Sequence, residues 1–64
     1  MKSLRHYAPE QIYAGMLLSA SFNRFGEVQP IKSDNGVWAR DLDGNLFFIH
    51  QLHFCSWYVN EESV

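Results

Sequence analysis

The sequence predicts an α+β domain: one N-terminal helix packed on a three- to four-stranded antiparallel β-meander. Three observations lead there. Apolar residues between positions 12 and 25 recur at helical spacing. Two short turn sequences, SDNG at 33–36 and DLDG at 41–44, punctuate the second half of the chain. Around those turns, VWAR and LFFIH are rich in aromatic and branched residues.

The helix is expected from about Pro9 to about Phe25. Pro9 suits a first turn, where its missing N–H costs nothing, and Glu10 suits the positive end of the helix dipole. Gly26 is the expected stop, with Arg24 in the last turn. The apolar residues form two stripes rather than one. Ile12, Tyr13, Met16, Leu17 and Ala20 make the first; Gly15, Leu18, Phe22 and Phe25 make the second. A surface helix normally carries a single stripe, so this one has more apolar surface than one sheet face covers.

Strands are expected over the rest of the chain. EVQPIK, residues 27–32, contains Pro30, which lacks a ladder donor and implies an edge strand. SDNG and DLDG each place Ser or Asp first and Gly fourth, the pattern of a type I turn closed by a left-handed residue. The third strand is expected from Asn45 to about Phe54, with CSWYV (55–59) either extending it past a bulge or forming a short fourth strand. Residues 1–7 read as a lead-in and 60–64 as a frayed polar tail. The loop fixes the register, with Asp41 opposite Asn45, Trp38 opposite Phe48, Val37 opposite Ile49 and Ala39 opposite Phe47. One face then carries Trp38, Arg40, Leu46, Phe48, His50, Leu52 and Phe54. The other carries Val37, Ala39, Phe47, Ile49, Gln51, His53 and Cys55. Neither face is polar, whereas a half-solvated antiparallel sheet alternates cleanly.

The 64 residues make one small domain. Such a domain buries only about 60% of its unfolded surface, so it needs help from a metal, a disulfide or a partner. Cys55 is the sole cysteine, which rules out a disulfide within the chain and fits a reducing, cytoplasmic setting. At 47% hydrophobic residues the chain is too apolar for a disordered protein. Its net charge of −2 is not that of a typical nucleic-acid binder. IYAGMLLSA (12–20), preceded by Lys2 and Arg5, resembles the apolar region of a signal peptide. Pro9, Glu10 and Gln11 sit awkwardly for that role, and a mature helix is the favoured reading. No run approaches the roughly 20 apolar residues of a membrane span.

No constellation of catalytic residues emerges, and no cofactor or metal is expected. His50, His53 and Cys55 are zinc-ligand types, but on one strand His50 and His53 point to opposite faces. Cys55 has no evident orienting group to make it a nucleophile. DLDGN fails as an EF-hand loop, which needs its glycine at the sixth position and a glutamate at the twelfth. No phosphate-cradling glycine loop or nucleophile elbow is present.

What remains is surface. Contiguous apolar patches mark interfaces, and interface cores favour Trp, Tyr, Phe and Arg. Trp38, Arg40, Phe48, Trp57 and Tyr58 are therefore the expected partner-binding residues. The function they imply is a small non-enzymatic module that regulates or inhibits a protein partner by occupying its surface, and that forms a homodimer. A protein of this size suits a regulator of phage or mobile-element type. The competing class is a nucleic-acid-binding regulator that stacks bases on the same aromatics. Its weakness is the supply of cations: Lys2, Arg5, Arg24, Lys32 and Arg40 are few and scattered.

Overall fold

A computed structural model describes residues 2–60. They form one six-stranded antiparallel sheet. Its strands are β1 (Lys2–Ser3), β2 (Leu17–Ala20), β3 (Arg24–Val28), β4 (Gly36–Arg40), β5 (Leu46–His50) and β6 (Trp57–Val59). The order across the sheet is β1-β6-β2-β3-β4-β5. Thus β2 to β5 make a four-strand meander, and β6 returns to the free side of β2. Turns of 3-10 helix cover Leu4–His6, Pro9–Gln11 and Gln51–Ser56.

No α-helix exists among the described residues, which overturns the α+β assignment and the helix expected over 9–25. Pro9 and Glu10 do start a helical turn, but it ends at Gln11. Two backbone positions then reverse the chain. Gly15 has φ +98° and Asn23 has φ 62°, both outside the helical region. Between them Met16, Leu18 and Ala20 are buried while Leu17 is exposed, an alternation of period two. Ser21, Phe22 and Asn23 form a three-residue hairpin loop, with Ala20 paired to Arg24. Asn tolerates the left-handed conformation such a loop requires at its last position. Each stripe of the expected helix thus mixes the two faces of a strand: Met16 and Ala20 of the first share the buried face with Leu18 of the second, while Leu17 lies on the other face.

Other boundaries move as well. β3 stops at Val28, and Gln29 donates one more bond to the Trp38 carbonyl (2.8 Å) before Pro30 ends the pairing. Residues 29–35 are a loop, so Pro30 lies beyond a strand rather than in one. Gly36 is not a turn residue; it opens β4 opposite His50. Its need for glycine is steric, since a Cβ there would collide with the Ile49 carbonyl and lie 2.6 Å from Cζ of Phe48. The expected long third strand ends at His50, and residues 57–59 form a separate strand. The lead-in is anchored: Leu4 is fully buried, and the Ser3 hydroxyl donates to the Phe54 carbonyl at 2.9 Å. Of the expected tail, residues 61–64 lie outside the described residues.

The sheet covers its own inner face by rolling. Phe47 on β5 and Trp57 on β6 have ring centroids 5.6 Å apart. Four strand steps separate those strands, which in a flat sheet is roughly 19 Å. The inner face between them carries small residues: Ala39 on β4, Gly26 on β3 and Ala20 on β2, all buried. A Cβ on Gly26 would lie 2.9 Å from Cζ of Phe47, so the ring occupies the space that glycine leaves. Leu4, Met16, Leu18, Val28, Ile49 and Val59 fill the rest of the core.

Two substitutions test this fold. In a helix, Gly15→Ala would stabilise by about 1 kcal/mol. At φ +98° with open space around it, the same change is expected to destabilise by about 1–2 kcal/mol through backbone strain alone. A urea titration reads the sign. Trp57→Ala, at a residue 4% exposed, is expected to cost about 3–5 kcal/mol in the same titration.

Candidate functional site

The β4–β5 hairpin is built around Asp41. Its carboxylate accepts the backbone N–H groups of Asp43 and Asn45, both at 2.9 Å. Gly44 takes φ +84° and donates to the Asp41 carbonyl at 3.1 Å. This is the three-residue loop expected from DLDG, and it sets the expected register of Trp38 with Phe48, Val37 with Ile49 and Ala39 with Phe47.

That register sorts the side chains. Val37, Ala39, Phe47 and Ile49 face the core. Trp38, Arg40, Leu46, Phe48 and His50 face outward. Trp38 and Phe48 pair across the strands with centroids 5.2 Å apart, and the edge of Phe48 meets His50 at 6.3 Å. Phe48 remains 37% and Leu46 48% exposed. Arg40 lies opposite Leu46 on β5 and Glu27 on β3, and its guanidinium forms no ion pair or hydrogen bond with another described residue. The outer face therefore presents an apolar strip, Trp38–Phe48–Leu46, with one guanidinium beside it.

The five expected binding residues do not form a single site. Trp38, Arg40 and Phe48 come together. Trp57 sits on the inner face as a core residue. Tyr58 is on the outer face of β6 between Ser3 and Ser19, and two strands separate it from Trp38. The alternation of side chains along a strand sends Trp57 and its neighbour to opposite faces. No sequence signal marked which of the two would face the core.

A second feature lies along the outer edge of β5. A cleft of about 250 Å³ runs between that edge, the β2–β3 turn and the last 3-10 turn. Phe22, 61% exposed, meets Trp57 edge-on at 6.2 Å. The Arg24 guanidinium sits 4.2 Å above the ring of Phe47. Neither Phe22 nor Arg24 stands out in the sequence, because the expected helix absorbs both. The signal that reveals them is the SFN turn between LLSA and RFGEV. A larger, open groove of about 900 Å³ lies between the N-terminal turns, the 29–35 loop and residues 51–54. Arg5, Ile12, Ile31, Lys32 and Leu52 line it, and none of the expected residues does.

His50 accepts the Leu52 N–H on Nδ1 at 3.1 Å, which caps the 3-10 turn. Residues 51–56 are not extended, so His53 and Cys55 do not share a strand face. Cys55 is exposed, with its sulfur 4.0 Å from the Leu52 carbonyl and the Ser56 hydroxyl. Among the described residues no three His, Cys, Asp or Glu side chains cluster as a metal site, and no helix is long and apolar enough to cross a membrane. No protein-family model, curated protein or solved structure matches the chain.

The Asp41 turn gives a direct test of how the outer strip is held. Asp41→Ala leaves two N–H groups without their partner. It is expected to cost about 1–2 kcal/mol in a denaturant titration. The altered hairpin is expected to change the emission of Trp38.

Proposed function

We propose that this protein is a small, non-enzymatic binding module that regulates or inhibits a protein partner by occupying its surface. The observation that carries this reading is the Trp38–Phe48 pair with exposed Leu46 on the outer face of β4–β5. The core is closed on the other side of the sheet, so among the described residues this strip buries nothing for the core. Its composition is that of an interface centre: aromatic and aliphatic anchors with an uncommitted arginine at the side. Inhibition would be steric, with Trp38 and Phe48 filling partner pockets and Arg40 setting orientation. Tyr58 belongs to the periphery of such a contact. A homodimer through the same strip is the alternative occupant.

Nucleic-acid binding is the second reading, and the observation in its favour is the placing of Arg24 over Phe47 beside exposed Phe22. Against it stand the net charge of −2 and the five basic residues in the whole chain.

Variants on the outer strip separate these classes. Trp38→Ala and Arg40→Glu are expected to abolish capture of a protein partner from lysate treated with nuclease, while cooperative unfolding is retained. Capture that persists in both variants contradicts the choice of surface. If the nucleic-acid reading holds instead, Arg24→Ala reduces the salt dependence of binding. Trp57 is unsuitable for this test, because removing it opens the core.

A further inference from the structure

We infer that the free edge of β5 is a docking site for an extended, acidic segment of a protein partner, which adds to the sheet as a seventh strand. The inference rests on the proposed protein-binding function and names its mode.

The backbone makes the first argument. In an antiparallel ladder, hydrogen-bonded and non-hydrogen-bonded pairs alternate. Asp41 donates to the Asn45 carbonyl and Gln51 donates to the Asn35 carbonyl, which marks both as hydrogen-bonded pairs. Counting inward along the register, Ala39–Phe47 and Val37–Ile49 are also hydrogen-bonded pairs. Leu46, Phe48 and His50 therefore turn their N–H and C=O groups away from β4, toward the edge where no described strand pairs. Sheet edges are normally blunted by lysine, proline or a bulge. LFFIH has neither lysine nor proline, and it pairs with β4 without a bulge. The residues whose backbone is free are also those whose side chains make the outer strip.

The cleft makes the second argument, because it runs along this same edge. Among the described residues its ionisable lining is Arg24, His50 and His53, with no carboxylate. An added strand would turn alternate side chains to its two faces. Those opposite Leu46 and Phe48 lie on the outer apolar strip. Those between them face the cleft, toward the Arg24 guanidinium and the His53 ring. The matching segment alternates apolar and acidic residues. A second copy of this chain fits poorly, since pairing β5 with β5 would bring two sets of Arg24, His50 and His53 together. A nucleic-acid backbone also fits poorly, because phosphate oxygens only accept hydrogen bonds and would leave the edge carbonyls unmatched.

The experiment uses the intact protein and a fluorescent peptide of alternating valine and glutamate, read by anisotropy. In antiparallel addition the residues opposite Leu46, Phe48 and His50 direct their backbone at the edge, and these are the valines. N-methylation of the valines is expected to weaken binding at least about tenfold, whereas N-methylation of the glutamates changes it less than about twofold. Replacing glutamate by glutamine in the peptide, or Arg24→Ala in the protein, is expected to weaken it about tenfold. Absence of binding by the parent peptide overturns the inference, as does an equal effect of both methylations. Binding of the glutamine peptide as tight as the parent overturns its acidic specificity. Sedimentation showing a dimer that the peptide does not dissociate, or an oligothymidylate bound through Arg24 in place of the peptide, overturns the choice of occupant. Suppose the strip variants lose the lysate partner while Arg24→Ala and the parent peptide have no effect. The interaction function then stands and strand addition falls.

Discussion

The structure depends on Phe47 lying where a side chain at position 26 would be. The ring rests over Gly26, beside Ala39, and reaches Trp57 from the far side of the sheet. A side chain at position 26 would press on that ring and on Ala39, and so work against the approach of β5 to β6. A flat sheet of this length has two exposed faces and no core. Rolled, it encloses Leu4, Leu18 and Val59 so completely that they have essentially no contact with water. For a small domain without disulfides, closing the sheet on itself is the available way to bury enough apolar surface. The Arg24 guanidinium, 4.2 Å over the Phe47 ring, adds to the packing of that ring.

Much of the last hairpin was legible in the sequence, and the first half of the fold was not. DLDG specifies a loop whose geometry is local: an Asp side chain that satisfies two N–H groups and a glycine in the left-handed region. Local chemistry of this kind needs no tertiary context, and it carried the register of β4 with β5 intact. The segment 12–25 was ambiguous because short apolar runs fit either period. Ile12, Met16 and Ala20 suit a helix, while Met16, Leu18 and Ala20 suit a strand. What decides between them is Gly15 and Asn23, whose positive φ values bound β2, and the partners β3 and β6 that receive it. The excess of apolar stripes was a sign that the helix was wrong, since no single helix face explained them.

The candidate site was legible in part for the same reason. Trp38, Arg40 and Phe48 belong to the hairpin whose register was local, so their common face came with it. Trp57 and Tyr58 sit on a strand whose direction of facing is set by β2, a distant segment. Phe22 and Arg24 depend on a turn hidden within the expected helix. The apolar character of both hairpin faces has two separate causes. One face packs against the rest of the rolled sheet. The other, together with the open edge of β5, is surface the fold does not use, and there the proposed function resides.

The central claim is that the sheet closes on its inner face while β5 stays an open edge. Amide hydrogen exchange by NMR tests it most directly. The account expects alternation along β5: slow exchange at Phe47 and Ile49, whose N–H groups bond to β4, and fast exchange at Leu46 and Phe48. Slow exchange at all four amides would mean that the edge is already paired. Protection running continuously from 12 to 25, without a break at the exposed Ser21–Phe22 turn, would restore a helix and contradict the fold itself.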